Sequence, residues 1–150
     1  WAYCYDKGIG VTQNYDEAFR LYMKAYEIGY SNASLDIGVC YEFGRGVEKN
    51  ITEAVAWYRK GAEKGYRYSQ CNLAYCYEKG NGVPQSYSEA FAWYKKAADQ
   101  NHPRALNNLG VFYANGWSVK KDVNEAIRLY RKAAELGSQE AKDNLKRHGL

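Results

Sequence analysis

The sequence predicts an all-α fold, a solenoid of helix-turn-helix repeats with a 36-residue period. Two sets of observations predict it. Tyr5, Tyr41, Tyr77 and Tyr113 keep a spacing of 36 residues, as do Gly8, Gly44, Gly80 and Gly116, and the Glu-Ala pairs that begin at Glu17, Glu53, Glu89 and Glu125. Tyr22, Tyr58, Tyr94 and Tyr130 follow, with Lys24, Lys60, Lys96 and Lys132, and no insertion breaks the register. A fixed period in this range marks stacked supersecondary units. Within each period, small and apolar residues recur at i, i+4, i+5 and i+8, the spacing of a helix face and not of a strand.

The elements follow in chain order. The first is the end of a helix, closed by Gly8; because the chain opens at Trp1 inside it, an upstream continuation of the natural protein is expected. The longer helix of each unit (helix B) begins at Asn14, which is a strong N-cap residue. Glu17 stands three residues on, in the capping-box arrangement that satisfies two backbone N–H groups reciprocally. That helix runs through Ala18, Tyr22 and Ala25 to Gly29, a residue suited to the left-handed conformation that closes helices.

The shorter-spaced helix (helix A) follows, with Ala33, Ile37, Gly38 and Tyr41 on one side and Gly44 at its end. The next helix B starts at Asn50 with Glu53 and ends near Gly65. The pattern repeats with Ser69, Leu73, Ala74, Tyr77 and Gly80, then Ser86, Glu89 and Asn101. It repeats again with Ala105, Leu109, Gly110, Tyr113 and Gly116, then Asp122, Glu125 and Gly137. Ser138 to Arg147 reads as one more helix A, with Ala141 and Leu145 in register and Lys142, Lys146 and Arg147 as a solvent-facing cap. Gly38, Ala74 and Gly110 face Ala54, Ala90 and Ala126, so the helices approach closely and tyrosines fill the core. Ser118, beside Trp117, replaces the second loop glycine, so the last loop is expected to differ in shape.

Composition narrows the function classes. The chain is 46% hydrophobic and 25% charged, with a net charge of +4 in which both signs alternate. That balance lacks the basic stripe of a nucleic-acid surface. No apolar run approaches the roughly 20 residues of a membrane span. The Gly-x-Gly loops at Gly8, Gly44 and Gly80 each follow a helix, where a phosphate-binding loop would follow a strand. The two histidines, His102 and His148, are too far apart to anchor a zinc site. Neither lies beside a nucleophile motif, so no catalytic triad can be drawn. The sequence therefore predicts no enzyme, no cofactor and no metal. Cys4, Cys40 and Cys76 share one repeat position and stand too far apart to pair, and Cys71 and Cys76 point to different sides of one helix. Free thiols favour a reducing compartment, here cytoplasmic, with an upstream targeting segment left open.

The pattern Ala-x-x-x-Leu-Gly-x-x-Tyr-x-x-Gly, followed by Glu-Ala and Tyr-x-Lys-Ala-Ala-Glu-x-Gly, has its closest copy at Ala105 to Gly137. It resembles the Sel1-like repeat, a relative of the tetratricopeptide repeat, and the resemblance covers essentially the whole chain. It implies a right-handed α/α superhelical solenoid forming a single domain over residues 1–150. Residues 1–32 are a truncated repeat, 33–68, 69–104 and 105–137 are full repeats, and 138–150 are a capping helix. Some secreted members join helices A and B by a disulfide; helix B has no cysteine here, so that bond is not expected.

By resemblance to tetratricopeptide repeats, helix A lines the concave face. One row there is Asp36, Asn72, Asn108 and Asn144; a second is Tyr3, Val39, Tyr75 and Val111; a third is Asp6, Glu42, Glu78 and Ala114. Asn32, Tyr68 and Arg104 lie further out, then Leu35, Cys71 and Asn107. Asp and Asn side chains at one-repeat spacing offer donors and acceptors to an extended peptide. Tyr68 and Tyr75 supply flat contact area with little entropy to lose. Glu42 and Glu78 suggest a basic partner segment. The expected function is a scaffold or adaptor binding a protein or peptide, with no nucleic acid and no direct membrane insertion. The alternatives are a spacer that positions another domain and a β-lactam or peptidoglycan-binding module, for which no Ser-x-x-Lys signature is present.

Overall fold

The computed structural model describes all 150 residues and contains nine helices and no strand. They are α1 (Ala2–Lys7), α2 (Tyr15–Glu27), α3 (Ala33–Phe43), α4 (Ile51–Glu63), α5 (Arg67–Lys79), α6 (Tyr87–Asp99), α7 (Pro103–Asn115), α8 (Val123–Glu135) and α9 (Gln139–Arg147). Odd-numbered helices are the A helices and even-numbered ones the B helices. Each B helix packs on the A helix before it and on the A helix after it, so contacts run along the chain as in a solenoid.

The caps explain where the B helices start. Asn14, Asn50, Ser86 and Asp122 each accept a hydrogen bond from the backbone N–H of the glutamate three residues on, at 2.9–3.2 Å. The second half of the expected capping box is replaced. The backbone N–H of each cap residue donates instead to the carbonyl of Tyr5, Tyr41, Tyr77 or Tyr113, at 2.9 Å in all four units. That bond closes the loop between the two helices. It leaves the glutamates free for other partners, and Glu17 and Glu125 pair with Arg20 and Arg128.

The loop after each of the first four A helices opens with a left-handed glycine, and three units place a second one at Gly10, Gly46 and Gly82. A Cβ at Gly46 would fall on the carbonyl of Tyr15, and one at Gly82 would lie 2.7 Å from that of Ile51. The last loop keeps this backbone shape against expectation: Ser118 adopts φ 56°, close to the 69–73° of its three glycine counterparts. A non-glycine residue in that region carries conformational strain.

The core consists of three buried clusters along the stack, bridged by the partly buried Tyr41, Tyr77 and Trp93. Its largest fully buried side chains include Tyr58, Tyr94, Phe112, Ile37, Leu73 and Leu106. Tyr22, Tyr58, Tyr94 and Tyr130 are all buried, whereas Tyr41, Tyr77 and Tyr113 are half-buried. Gly38 and Gly110 make room for two of the buried rings, since a Cβ there would approach Tyr58 and Tyr130 to 2.5 and 2.6 Å. All four cysteines are free thiols. Cys71 packs with Tyr94 and Leu106, while Cys76 packs with Tyr58 and Leu73, so the two do point apart. Burial pushes the Cys40 and Cys71 thiols up to about 11 and the Cys76 thiol up to about 12.

Candidate functional site on the A helices

The buried tyrosines of the B helices carry hydroxyls that must find partners. In the two central units the hydroxyl ends between a glutamate on the A helix of its own unit and an asparagine on the next A helix. The Tyr58 hydroxyl donates to Glu42, and the Tyr94 hydroxyl donates to Glu78 at 2.7 Å. Asn72 lies near the Tyr58 hydroxyl and Asn108 near that of Tyr94, while their Oδ1 atoms accept from Arg104 and Asn107. Burial first, and then the carboxylate, hold both phenols well above their ordinary range; the asparagines offset part of that rise. The result is a polar rung spanning three helices and repeated every 36 residues.

The end rungs differ in chemistry. The first consists of Asp6, Tyr22 and Asp36, two carboxylates where the central rungs have one. Asp6 is buried and paired with Lys7 at 2.8 Å and with Arg45 at 3.6 Å. Burial, and secondarily the charge on Asp6, push the Asp36 carboxyl up to about 6. The last rung has Ala114 in the acidic position, and Asn144 donates to Asn107 Oδ1 at 2.9 Å.

Between the central rungs the A helices leave an open groove. One cavity of about 460 Å³ is lined by Val39, Glu42, Phe43, Tyr58, Asn72, Tyr75, Cys76, Asn81 and Arg104. It brings together four of the eight expected partner-binding residues. The Arg104 guanidinium lies 4.9 Å from the centre of the Tyr75 ring, and its Nη1 donates to Asn72 Oδ1 at 3.5 Å. A second cavity of about 410 Å³ joins Asp36 and Tyr68 with Asn32, Leu35, Arg67 and Gln100. Tyr68 is 54% exposed, with Arg67 over its face at 5.3 Å and His102 against it edge-on at 4.8 Å. Glu78 and Asn108 belong to neither cavity; Glu78 also pairs with Lys79 at 2.7 Å.

Three expectations need revision. Cys71 and Asn107, placed on the outer rows of this face, are buried at 1% and 7% exposure, because the positions directly behind the rungs pack into the stack. Glu42 and Glu78 do not form a bare acidic surface, since each is half-buried and holds a tyrosine hydroxyl. His102, given no role by the sequence, is buried, and its Nδ1 accepts from Ala105 N–H at 3.3 Å as the N-cap of α7. Burial first, and then the Arg67 and Arg104 guanidiniums, pull its imidazole down to about 4. The rungs themselves went unread, although all three positions share the 36-residue period that would have flagged them.

No helix is long and apolar enough to cross a membrane, and no group of three His, Cys, Asp or Glu side chains is placed to hold a metal.

The Sel1 repeat model matches residues 1–30, 31–66, 67–102 and 103–138. Among solved structures, a Sel1 repeat protein from Oxalobacter formigenes is 42% identical with a TM-score of 0.82, over 93% of this chain and 58% of that one. The protein c5321, a protective antigen of uropathogenic Escherichia coli with an SLR fold, is 34% identical with a TM-score of 0.90, over 96% of this chain and 31% of that one. Cysteine-rich protein B of Helicobacter pylori, at 24% identity and a TM-score of 0.68, shares the fold over 87% of this chain and 94% of its own. The chain thus spans little more than half of the first of these relatives and about a third of the second. No curated protein matches the sequence.

Proposed function

Because the chain belongs to the Sel1 repeat family, whose members mediate protein–protein interaction and are typically non-enzymatic scaffolds, we propose that it holds a segment of a partner protein in the groove along its A helices. The observation that carries this reading is the cavity shared by Glu42, Asn72, Tyr75 and Arg104. It pairs an aromatic face and apolar walls with polar groups whose other bonds already fix their positions. Pre-set groups of this kind bind with less entropy to lose. On this reading Tyr68 and Tyr75 pack on partner side chains, while Asn72 and Asn108 serve the partner's main chain with the valences the rungs leave open. The concave curvature of such solenoids lets one extended segment touch several repeats at once.

The test is selection of binders from a random displayed peptide library, followed by affinities for wild type and for Tyr68→Ala with Tyr75→Ala. Loss of two aromatic contacts at an interface centre is expected to weaken binding by roughly tenfold or more. Far-UV circular dichroism should remain unchanged, since neither ring is a core residue. Peptides that bind the double variant as tightly as wild type would move the interface elsewhere. A library that yields no binder would favour a spacer.

A further inference from the structure

Charge on this face is distributed differently from what its residue rows suggest, and the difference selects the partner. Of the acids that line the A helices, all but Asp36 are spoken for. Asp36 lies in the cavity of Arg67 and Tyr68 and makes Arg104 the stronger of the two anion anchors. Glu42 holds the Tyr58 hydroxyl, Glu78 holds Tyr94 and Lys79, and Asp6 is buried with Lys7 and Arg45. The cations at the mouth of the groove are not. Arg104 has no carboxylate within 4 Å, and neither has Arg67, whose Nη1 donates to the Gln100 carbonyl at 3.1 Å. Each guanidinium is instead laid against a tyrosine ring, Arg104 on Tyr75 and Arg67 on Tyr68. The ring and the single Nη1 bond restrain each guanidinium and leave its remaining N–H groups without a protein acceptor, donors of the kind a carboxylate takes bidentately.

We infer that the groove selects an internal acidic segment of its partner, one Asp or Glu carboxylate seating on Arg104 beside Asn72 and over Tyr75, with Arg67 and Tyr68 receiving a second acidic side chain. This inference rests on the groove reading above and fixes the sign of the partner's charge. An internal segment is named over a chain terminus because the two cavities lie end to end along the same pair of helices, α3 and α5, so a strand that fills both passes through. Asn81, in the same cavity, adds a neutral amide to the anion's surroundings. The one carboxylate there, Glu42, faces Tyr58 with one oxygen and reduces the local positive charge without cancelling both arginines. His102, flanked by the same two arginines, is held neutral and adds no further cation.

The test uses fluorescein-labelled peptides, acetylated and amidated to remove terminal charge, with a central pair of residues fixed as Glu, Gln or Lys in a varied neutral background. Anisotropy is expected to show the Glu series binding about tenfold or more tighter than the Gln series, and the Lys series weakest. Arg104→Glu and Arg67→Glu should each erase the Glu preference, whereas Lys95→Glu on a B helix should not. Arg67 and Arg104 are exposed, so both variants are expected to fold. Binding led by the Lys series, or a Glu preference untouched by either arginine variant, overturns the inference while leaving the groove in place. A preference that appears only with free C-terminal carboxylates overturns the internal segment. Failure of every peptide to bind overturns the groove itself and the inference with it.

Discussion

Replacing Tyr58 with phenylalanine isolates one rung. The ring is 1% exposed and its packing against Ala54, Leu73 and Cys76 is kept, so the change removes little more than the hydroxyl. That hydroxyl donates to a charged acceptor, and hydrogen bonds to charged groups contribute about 1.5–3 kcal/mol net. Glu42 is only half-buried and recovers part of its hydration from solvent, which places the expected cost near 2 kcal/mol. For a chain of this length that corresponds to a fall in Tm of roughly 4–8 °C. The fold supplies its own control. Tyr130 occupies the same repeat position, but Ala114 stands where the acid would be, so Tyr130→Phe should cost less than about 0.5 kcal/mol. Urea denaturation followed by circular dichroism reads both, with an unchanged m-value showing that only stability has moved. A cycle with Glu42→Gln should give a coupling of about 1 kcal/mol or more. Equal costs for Tyr58→Phe and Tyr130→Phe, or no coupling to Glu42, would refute the rung as a source of stability.

Further expectations concern the ends of the ladder, one cap and one loop. Asp36 has a folded-state pKa of about 6 against an ordinary 3.8, so the folded state binds the extra proton and stability falls as pH rises between those values. Asp36→Asn, which copies the asparagine of the other rungs, should gain at most about 3 kcal/mol above about pH 7 and almost nothing below about pH 4 in denaturant titrations. His102 has the opposite sign: its imidazole is depressed from 6.5 to about 4, so stability is lost as pH falls through that window. His102→Asn should keep the cap and remove this loss, leaving a protein that grows more stable, not less, as pH drops from about 6.5 to about 5, where Asp36 dominates the slope. Nearer pH 4, Glu17 and Glu125, held below their ordinary range by Arg20 and Arg128, oppose it. Ser118→Gly should relieve left-handed strain and raise Tm by about 1–3 °C, the gain being partly offset by entropy of the unfolded chain.

Much of the fold was legible because its determinants are local. A cap residue, a glutamate three positions later and a closing glycine sit within one helix, and a period of 36 residues multiplies each signal by four. The site was legible only in part. That Asn72, Tyr75 and Arg104 share a face follows from helical spacing, and the structure does bring them into one cavity with Glu42. The state of Glu42 does not follow from spacing, because its partner Tyr58 is sixteen residues away on another helix. Cys71 and Asn107 show the same limit: a position one step around the helix from a groove residue already faces the neighbouring repeat. His102 escaped notice because histidine is an uncommon cap, and its burial depends on Tyr68 from the preceding unit.

The rungs tie stability to recognition, and that coupling decides which substitutions are informative about binding. Glu42 holds a tyrosine hydroxyl while also lining the groove, and Asn72 lies beside the same hydroxyl, so changing them loosens the stack and the binding surface together. A loss of affinity at these positions does not separate a missing contact from a softened scaffold. Arg67, Tyr68 and Arg104 make no bond to a rung tyrosine; the weak 3.5 Å contact of Arg104 with Asn72 is the nearest link. Their substitution changes what the groove presents while the ladder behind it stays intact. The same division gives this arrangement a way to vary its partner: exchanging the outer residues, as the series Asn32, Tyr68 and Arg104 already does from one repeat to the next, alters the chemistry offered without touching the groups that hold the repeats in register.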